Sequence, residues 1–343
     1  MAHDPPSDWN AALATGFQVL EEADSIWRRT PERRKGKESW RDHTISAADL
    51  QRKTFPPINF VVSGLIPEGL SLFCGRPKVG KSWAALDVGT AVATGACCFG
   101  GREAEQGDVL YAALEDNHRR LQRRMDKLIG INGGEWPKRL TLTTAWRRLD
   151  KGGVEDVNEW TKSVPKPRLV ILDTLAGVKP IRVNNGYAED YESLTALHRL
   201  ANETGLAVLV LHHTRKMDAD DPLDTISGTL GLAGCADTAL VLVGSSQGMT
   251  LYVRGRDIEE AEHAVTFDKA SCRWSIVGDA AEVQMSETRK AILRVLRETD
   301  APMGPSDIAA AADLKEGVVK QRLIGLVTKG DVLKKNRGQY ACA

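Results

Sequence analysis

Through the middle of the chain, continuous apolar runs alternate with segments whose apolar residues recur at helical spacing. The apolar runs occupy residues 58–75, 107–115, 139–145, 168–173, 205–213 and 238–243. The helical segments between them occupy residues 81–95, 118–128, 154–164 and 191–205. Strands that are apolar on both sides and separated by helices are typical of a mostly parallel sheet covered by helices on both faces. The pattern therefore predicts an α/β fold.

The pattern changes at both edges of this region. Residues 1–44 contain a short amphipathic stretch and no strand pattern, so we predict an N-terminal basic arm or linker there. At the other edge, short apolar segments predict antiparallel strands that close the sheet near Gly278. These segments occupy residues 248–257, 264–268 and 272–277. The α/β core is thus predicted to span residues 45–278.

The last part of the chain predicts a small helical domain. A spacer at residues 279–285 separates it from the core, and Ser306 is the predicted cap of its second helix. The helices are predicted at residues 286–298, 301–312 and 315–330, and two short strands at 332–335 and 339–342. Three helices followed by a hairpin predict a winged helix-turn-helix domain over residues 286–343.

Composition limits the class of protein. The chain has 343 residues, of which 42% are hydrophobic and 27% charged, as is ordinary for a folded globular protein. No apolar run approaches the roughly 18 residues of a membrane span, and the first residues lack the pattern of a secretory signal. We therefore expect a cytoplasmic protein with no membrane partner. The six cysteines are irregularly spaced without a C-x-x-C pair, which matches neither a zinc site nor a disulfide framework.

Charge is balanced over the whole chain but not along it. Formal net charge is zero, yet residues 28–43 hold seven basic against three acidic residues, and residues 286–343 hold eleven against seven. We favour a solvated or subunit-linking arm for the first cluster. In the second, the predicted recognition helix and wing suit duplex DNA phosphates, and a protein-interaction module is the alternative. Their polar residues are Lys315, Lys320, Gln321, Arg322, Lys329, Lys334, Lys335 and Arg337.

A glycine-rich segment between the first strand and the first helix fits G-x-x-x-x-G-K-[ST], the motif of ATP-binding phosphate loops. Its backbone N–H groups and the helix N-terminus are suited to phosphates. Lys81 is placed to reach the β- and γ-phosphates of ATP, and the Ser82 hydroxyl to bind Mg²⁺. The predicted nucleotide-binding residues are Gly75, Arg76, Pro77, Lys78, Val79, Gly80, Lys81, Ser82 and Trp83.

Carboxylates follow two of the predicted strands. Asp173 ends the strand at residues 168–173, the position expected for a carboxylate that holds Mg²⁺ opposite Ser82. The predicted strand at 107–115 ends in Glu115, and Asp116 follows it. We predict that Glu115 is the general base that orients water, while Asp116 in that role and a helix cap for either residue remain alternatives.

Two further groups extend the candidate site. His212 and His213 end another apolar strand, where a polar side chain can contact the γ-phosphate. We predict that His213 is one of the catalytic residues. Arg254 and Arg256 lie two residues apart on one face of a predicted strand, with no acidic neighbour expected on that face. Either can act as an arginine finger on the next subunit, the alternative being a pair of solvated strand residues.

Taken together, these residues resemble those of the RecA/DnaB-like ATPases, most closely the plasmid RepA-type hexameric replicative helicases and related AAA-family ATPases of phages and mobile elements. The likeness covers residues 45–278 and rests on EGLSLFCGRPKVGKSW, the strand-end LED, LVILDTL, LHHTRK and the R-x-R of the last core strands. It implies a RecA-like P-loop NTPase core and a hexamer with ATP between subunits. It also implies a water-activating glutamate and a neighbour's arginine pair, roles that fall on Glu115, Arg254 and Arg256.

The resemblance further implies that single-stranded DNA runs along two loops of the core, at residues 179–190 and 215–228. The second loop has four aspartates and two basic residues, whereas contact with a DNA backbone needs a positive track. Lys179 and Arg182 in the first loop, and backbone amides near Ser227 and Gly228, can still hold phosphates.

Three functions fit the sequence. The leading one is a ring-forming, ATP-hydrolysing DNA helicase or translocase of a plasmid, phage or prophage replication system. The second is an ATP-gated DNA-binding regulator or loader that does not unwind DNA, a function that the acidic loop favours. The third is a small-molecule P-loop kinase, which has no need of a winged helix.

Overall fold

The computed structural model describes residues 44–343 except residues 56, 131–133, 181–186, 215–220, 227–233, 246–247, 300 and 337. The chain divides into two compact units, residues 1–57 and 58–343. In the first unit, helix α1 (Ala47–Arg52) begins after Ser46, whose side chain accepts a hydrogen bond from the Asp49 backbone N–H. Almost all of the predicted N-terminal arm, and its basic cluster, lie outside the described residues.

The second unit contains the remaining helices and the strands. The helices are α2 (Lys81–Thr94), α3 (His118–Ile129), α4 (Gly153–Ser163), α5 (Leu175–Val178), α6 (Tyr187–Thr204), α7 (Ala280–Glu298), α8 (Pro305–Ala312) and α9 (Glu316–Thr328). The strands up to the middle of the unit are β1 (Phe60–Val62), β2 (Ile66–Pro67), β3 (Gly69–Gly75), β4 (Cys97–Cys98), β5 (Arg102–Glu103), β6 (Asp108–Ala113), β7 (Leu140–Thr143) and β8 (Pro167–Asp173). The later strands are β9 (Ala207–His213), β10 (Thr238–Ser245), β11 (Gly248–Gly255), β12 (Ala261–Asp268), β13 (Arg273–Asp279), β14 (Val332–Asn336) and β15 (Gln339–Cys342).

Among the described residues, the main sheet has nine strands in the order β13-β12-β11-β10-β3-β9-β8-β6-β7. The strands from β10 to β7 run parallel, and β11, β12 and β13 add an antiparallel arm next to β10. The prediction of a mostly parallel α/β sheet with an antiparallel closing set is therefore confirmed. The β1–β2 and β4–β5 hairpins were not predicted, because their strands have only two or three residues.

Both faces of the parallel strands are buried, which explains why their sequences are continuously apolar. Successive residues of β6 alternate between the two cores: Val109 and Tyr111 pack on the side of α2, and Leu110 on the side of α6. Helix α2 is itself buried over most of its surface, as expected for a helix that is apolar nearly all round. The start of this buried helix is thereby fixed relative to the end of β3.

The C-terminal helices α7, α8 and α9 and the β14–β15 hairpin enclose a small core of their own. Met303 also forms an isolated antiparallel bridge with Tyr340 of the hairpin. The predicted spacer is wrong, because α7 begins at Ala280, directly after β13, with the Asp279 side chain as its N-cap. The predicted cap at Ser306 is also wrong, since Pro305 occupies the first helical position and Gly304 precedes it. Proline is favoured there because the first turn has no intrahelical partner for its N–H groups.

Among the helices that the structure describes, none is both long enough and apolar enough to span a bilayer.

Candidate nucleotide-binding site

The loop between β3 and α2 forms a concave backbone at the carboxyl end of the sheet. Lys78 and Gly80 adopt left-handed backbone conformations, with φ of 64° and 104°. Such residues in a short loop turn successive N–H groups toward one side, which creates a site for an anion. A side chain at Gly75 would meet the Leu242 carbonyl oxygen at 2.9 Å, so a bulkier residue does not fit there. The loop therefore has the shape expected of a phosphate-binding loop.

Lys81, the first residue of α2, points its ammonium group back into this loop. Its Nζ donates to the carbonyl oxygens of Gly75 at 2.7 Å and Arg76 at 3.0 Å, and lies 3.3 Å from His213 Nδ1. Burial lowers the pKa of Lys81, and the nearby negative charges, including that of Asp173, oppose the shift. A buried cation beside the loop amides is the arrangement that binds phosphate groups.

Asp173, at the end of β8, is buried next to this lysine. Tyr111 donates its hydroxyl to Asp173 Oδ2 at 2.7 Å. Oδ1 is buried and, among the described residues, has no hydrogen bond of good geometry. Burial raises the pKa of Asp173, while the nearby hydroxyls of Tyr111 and Ser82 oppose the shift. A buried carboxylate oxygen with no well-formed hydrogen bond, close to a serine hydroxyl, is a donor set that fits a hard cation such as Mg²⁺.

The two carboxylates after β6 have different surroundings. Glu115 faces the site, where its Oε1 accepts a hydrogen bond from Thr174 Oγ1 at 2.9 Å and lies 3.8 Å from His213 Nε2. The Asp116 side chain is only 5% exposed and forms ion pairs with Arg120 at 3.0 Å and Arg124 at 2.6 Å. Of the two carboxylates, Glu115 is thus the one available to water at the site.

Helix α3 begins after a cap that is neither of these two carboxylates. Its cap is Asn117, whose side chain accepts from the Arg120 backbone N–H. Arg120 and Arg124 of the helix form ion pairs with Asp116, and Arg124 also lies 5.4 Å above the Trp83 ring. Sequence spacing did not indicate this, because Asp116 precedes the helix and its orientation depends on the turn.

His212 and His213 end β9, as predicted, and His213 lies between the lysine and the glutamate of the site. Its ring contacts Lys81 Nζ through Nδ1 and approaches Glu115 through Nε2. His212 pairs in register with Cys74, and His213 with Gly75. Burial raises the pKa of Cys74 to about 12, so that its thiol is neutral at ordinary pH. His213 is accordingly the histidine that links the site residues.

Arg254 and Arg256 do have acidic neighbours, so the expectation of an acid-free face is wrong. Arg254 donates to Asp221 Oδ2 at 2.6 Å and to Glu260, and these hydrogen bonds raise its pKa. Arg256 donates to the Gly234 carbonyl at 2.9 Å and lies 3.7 Å from Asp237. These partners come from loops outside the strand, which an alternation pattern within the strand does not show.

The two arginines lie away from the phosphate-binding loop of their own chain. Arg254 pairs with Ala239, which pairs with Leu72 of β3. The Arg256 backbone N–H binds the Asp237 carbonyl, and the Asp237 N–H binds that of Leu70. Leu70 is five residues before Gly75, or about 16 Å at about 3.3 Å per strand residue. Within one subunit, Arg256 is therefore at the opposite end of β3 from the site.

The two predicted DNA loops are described only in part. Lys179 is the C-cap of α5, and its carbonyl accepts a hydrogen bond from Arg148, while Arg182 lies outside the described residues. In the second loop the described residues 221–226 include a short 3-10 helix, Pro222–Thr225, with Asp221 as its cap. Arg215, Lys216, Ser227 and Gly228 lie outside the described residues.

Comparison with known proteins is consistent with this geometry. A protein-family model, AAA_25, described as an AAA domain, matches residues 37–219, just over half of the chain. No curated protein matches significantly. A structure titled as a DnaB-like replicative helicase and its interactions with primase aligns over 78% of this chain and 75% of its own, with a TM-score of 0.52 and 14% identity. A second structure, titled as an ATPase domain, aligns over 80% of this chain and 100% of its own, with a TM-score of 0.51 and 15% identity.

At these identities the two structures establish the fold alone, whereas the family match covers the phosphate-binding loop, both site carboxylates and the histidines. The chain therefore belongs to the AAA_25 family of AAA domains, and it shares the fold of the two solved structures.

Proposed function

We propose that the chain binds ATP with Mg²⁺ between the subunits of a hexameric ring and uses hydrolysis to move on DNA. The proposal rests on one observation in particular. Lys81, Asp173, Glu115 and His213 converge at one end of the sheet, while Arg256 sits about 16 Å away along β3, by about 3.3 Å per strand residue. Arg256 of the same chain therefore lies too far from the site to contact the phosphates, which supports an arginine supplied by another copy of the chain.

Each residue has a proposed task at the nucleotide. The loop from Gly75 to Trp83 holds the phosphates through its backbone N–H groups, with Lys81 beside the β- and γ-phosphates. Ser82 and Asp173 would hold Mg²⁺, which supplies charge neutralisation at the phosphate oxygens when bound. In Asp173, the buried Oδ1 is the oxygen that would be available to the metal ion, because it has no hydrogen bond of good geometry among the described residues.

Hydrolysis requires a group that orients water. We assign this role to Glu115, because Asp116 is occupied by two arginines while the Glu115 carboxylate faces His213. His213 then contacts both the phosphate-binding lysine and the water-orienting carboxylate. Loss of the γ-phosphate would therefore change the contacts of His213 at the end of β9. Asp221, a partner of Arg254, follows β9 in the sequence.

The DNA part of the proposal draws on two features. One relative in fold is titled as a DnaB-like replicative helicase, and a replicative role in a plasmid, phage or prophage is the corresponding proposal for this chain. The other is the C-terminal arrangement of three helices and a hairpin, for which we propose a winged helix-turn-helix domain over residues 286–343, beside an arm (1–44) and a core (45–278). Its recognition helix is α9.

Duplex DNA is the proposed partner of that domain, although fewer of its basic residues are available than the sequence indicated. Lys320 forms an ion pair with Glu316 at 2.7 Å, and Arg322 is half-buried. Lys334 and Lys335 are exposed on β14, whereas Arg337 lies outside the described residues. The second candidate, an ATP-gated DNA-binding regulator or loader that does not unwind DNA, is supported by the acidic second loop of the core, whose described part includes Asp221 and Asp224.

Subunit mixing tests the shared site. Lys81→Ala removes the phosphate-binding cation and Arg256→Ala removes the proposed finger, and each variant alone should lose ATPase activity. In randomly mixed rings about a quarter of interfaces pair an intact loop with an intact arginine, so an equal mixture should recover up to about a quarter of wild-type activity. Mixing Lys81→Ala with the double variant is the control, because no interface is then complete.

Absence of recovery at every ratio, with both variants folded, would count against a trans arginine at position 256. Strand displacement on a forked duplex then separates the two candidate functions. A helicase releases the labelled strand in an ATP-dependent way, whereas a regulator binds the fork and hydrolyses ATP without releasing it.

A further inference from the structure

An indole from the antiparallel arm of the sheet contacts the phosphate-binding loop. Trp274, near the start of β13, is 3% exposed, and its Nε1 donates to the Gly80 carbonyl oxygen at 3.2 Å. The two residues are 194 positions apart in the chain. None of the roles proposed for the site residues depends on this hydrogen bond.

The Gly80 carbonyl is the point at which the loop becomes a helix. The same oxygen accepts the first hydrogen bonds of α2, from the backbone N–H groups of Trp83 at 3.1 Å and Ala84 at 3.2 Å. Gly80 has a left-handed φ of 104°, and a side chain built on it would meet the Trp274 ring at 3.1 Å. The indole thus packs on the bare face of Gly80 and fixes the orientation of the peptide that leads into Lys81.

Strand β13 holds the neighbouring helices at two further points, so the indole has a rigid support. Arg273 Nη1 lies 3.1 Å from Asp87 Oδ1 in the middle of α2, and its Nη2 donates to the Leu128 carbonyl in α3 at 3.2 Å. The Trp274 ring also contacts Phe267 of β12, with centroids 5.1 Å apart. Because the indole is held on several sides, its orientation is fixed, and it can restrict the position of the loop peptide that it binds.

We propose that Trp274 is a positioning residue of the ATPase site, and this proposal rests on the function proposed above. By holding the Gly80 carbonyl, the indole fixes the peptide planes at Gly80 and Lys81, whose N–H groups face the phosphates. Without the indole, Lys81, Asp173 and Glu115 are still present. The phosphate-binding loop is, however, less ordered before nucleotide binds. Weaker preorganisation lowers affinity for ground state and transition state alike.

The test is Trp274→Phe, which removes the indole N–H and keeps an aromatic ring. Trp160→Phe is the matched control, because the Trp160 indole is also buried, packs in the core on the other side of the sheet and has no hydrogen-bond partner among the described residues. For Trp274→Phe we expect the Kd and KM for ATP to rise about three- to tenfold, the effect of one lost hydrogen bond, with kcat within about twofold of wild type. Trp160→Phe should leave all three constants unchanged.

A second replacement separates the hydrogen bond from ring volume. Incorporation of 3-benzothienylalanine at position 274 replaces the N–H by sulfur with little change in shape, and it should raise Kd and KM as Trp274→Phe does. Wild-type Kd and KM for this isostere, in a protein with a wild-type melting temperature, would overturn the proposal. A wild-type protein that neither binds nor hydrolyses ATP would instead overturn the function on which the proposal rests.

Discussion

Asp87 is a buried carboxylate in the middle of α2, and its replacement by asparagine should stabilise the protein in a pH-dependent way. Its side chain is 4% exposed, and its charged neighbour is Arg273, with 3.1 Å between Oδ1 and Nη1. That Oδ1 atom has no hydrogen bond of good geometry among the described residues. Burial raises the pKa of Asp87 from 3.8 to about 6, and the charge of Arg273 opposes the shift only in part.

The sign and size of the effect follow from proton linkage. Between about pH 4 and pH 6 the folded state binds more protons at Asp87 than the unfolded chain does, so stability falls as pH rises through this window. Above it, the folded state carries the full cost of the buried charge. The difference between 3.8 and about 6 corresponds to about 3 kcal/mol at about 1.4 kcal/mol per pKa unit. Asp87→Asn, which is neutral at every pH, should therefore be more stable than wild type at pH 8 by up to about 3 kcal/mol.

The assay is urea unfolding of wild type and Asp87→Asn at pH 5 and pH 8, followed by circular dichroism. The advantage of the variant should be larger at pH 8 than at pH 5. Asp156→Asn is the control with the opposite sign, because a hydrogen bond from Arg147 lowers the pKa of Asp156 and its loss should destabilise the protein at pH 8. A variant at position 87 that is less stable than wild type at pH 8, or equally affected at both pH values, would refute the reasoning.

Two other predictions concern the site carboxylates and the arginine arm. Glu115→Gln should lower kcat by about 10²- to 10⁴-fold with nucleotide affinity retained, as for loss of a general base. Asp116→Asn, which breaks two ion pairs, should lower the melting temperature and have a smaller effect on kcat than Glu115→Gln. Equal kcat values in the two variants would contradict the assignment of Glu115. Asp221→Asn combined with Glu260→Gln should release Arg254 and raise ATPase activity about two- to thirtyfold at limiting protein concentration, since each of the two partly exposed ion pairs is worth roughly 0.2–1 kcal/mol. The same pair of changes in an Arg254→Ala background should have no effect, and an unchanged rate in the native background would show that the ion pairs do not restrain the arginine.

The central strands and the phosphate-binding loop were predictable from sequence because each depends on local chemistry. A run such as 168–173 is apolar on both faces only if both faces are buried, and helix α2 follows the loop as the motif requires. Elements of two or three residues, such as β4 and β5, carry too few positions for any periodicity to appear. The start of α7 was missed for a different reason, since residues 280–285 have weak apolar spacing and the helix is extended by its cap at Asp279.

Contacts between distant residues account for most of what the sequence did not indicate at the site. Tyr111 binds Asp173 across 62 positions, and Trp274 binds Gly80 across 194. A tyrosine in a buried strand needs a partner for its hydroxyl, so Tyr111 offered a weak signal. The partners of Arg254, in contrast, are Asp221, which precedes β10, and Glu260, which follows β11, and only the folded chain shows them.

Strand order explains why one histidine can connect the groups of the site. Along the sequence, β9 follows β8, but in the sheet it lies between β3 and β8, with β6 beyond. His213 at the end of β9 is consequently next to Lys81, which follows β3, and within 3.8 Å of Glu115, which follows β6. On the other side of β3, β10 runs parallel to it, and β11 is antiparallel to β10, so β11 ends toward the opposite end of β3, where Arg254 and Arg256 lie. The same topology therefore gathers one set of groups around the phosphates and carries the arginines away from them, which is the division expected if each site is completed by a second copy of the chain.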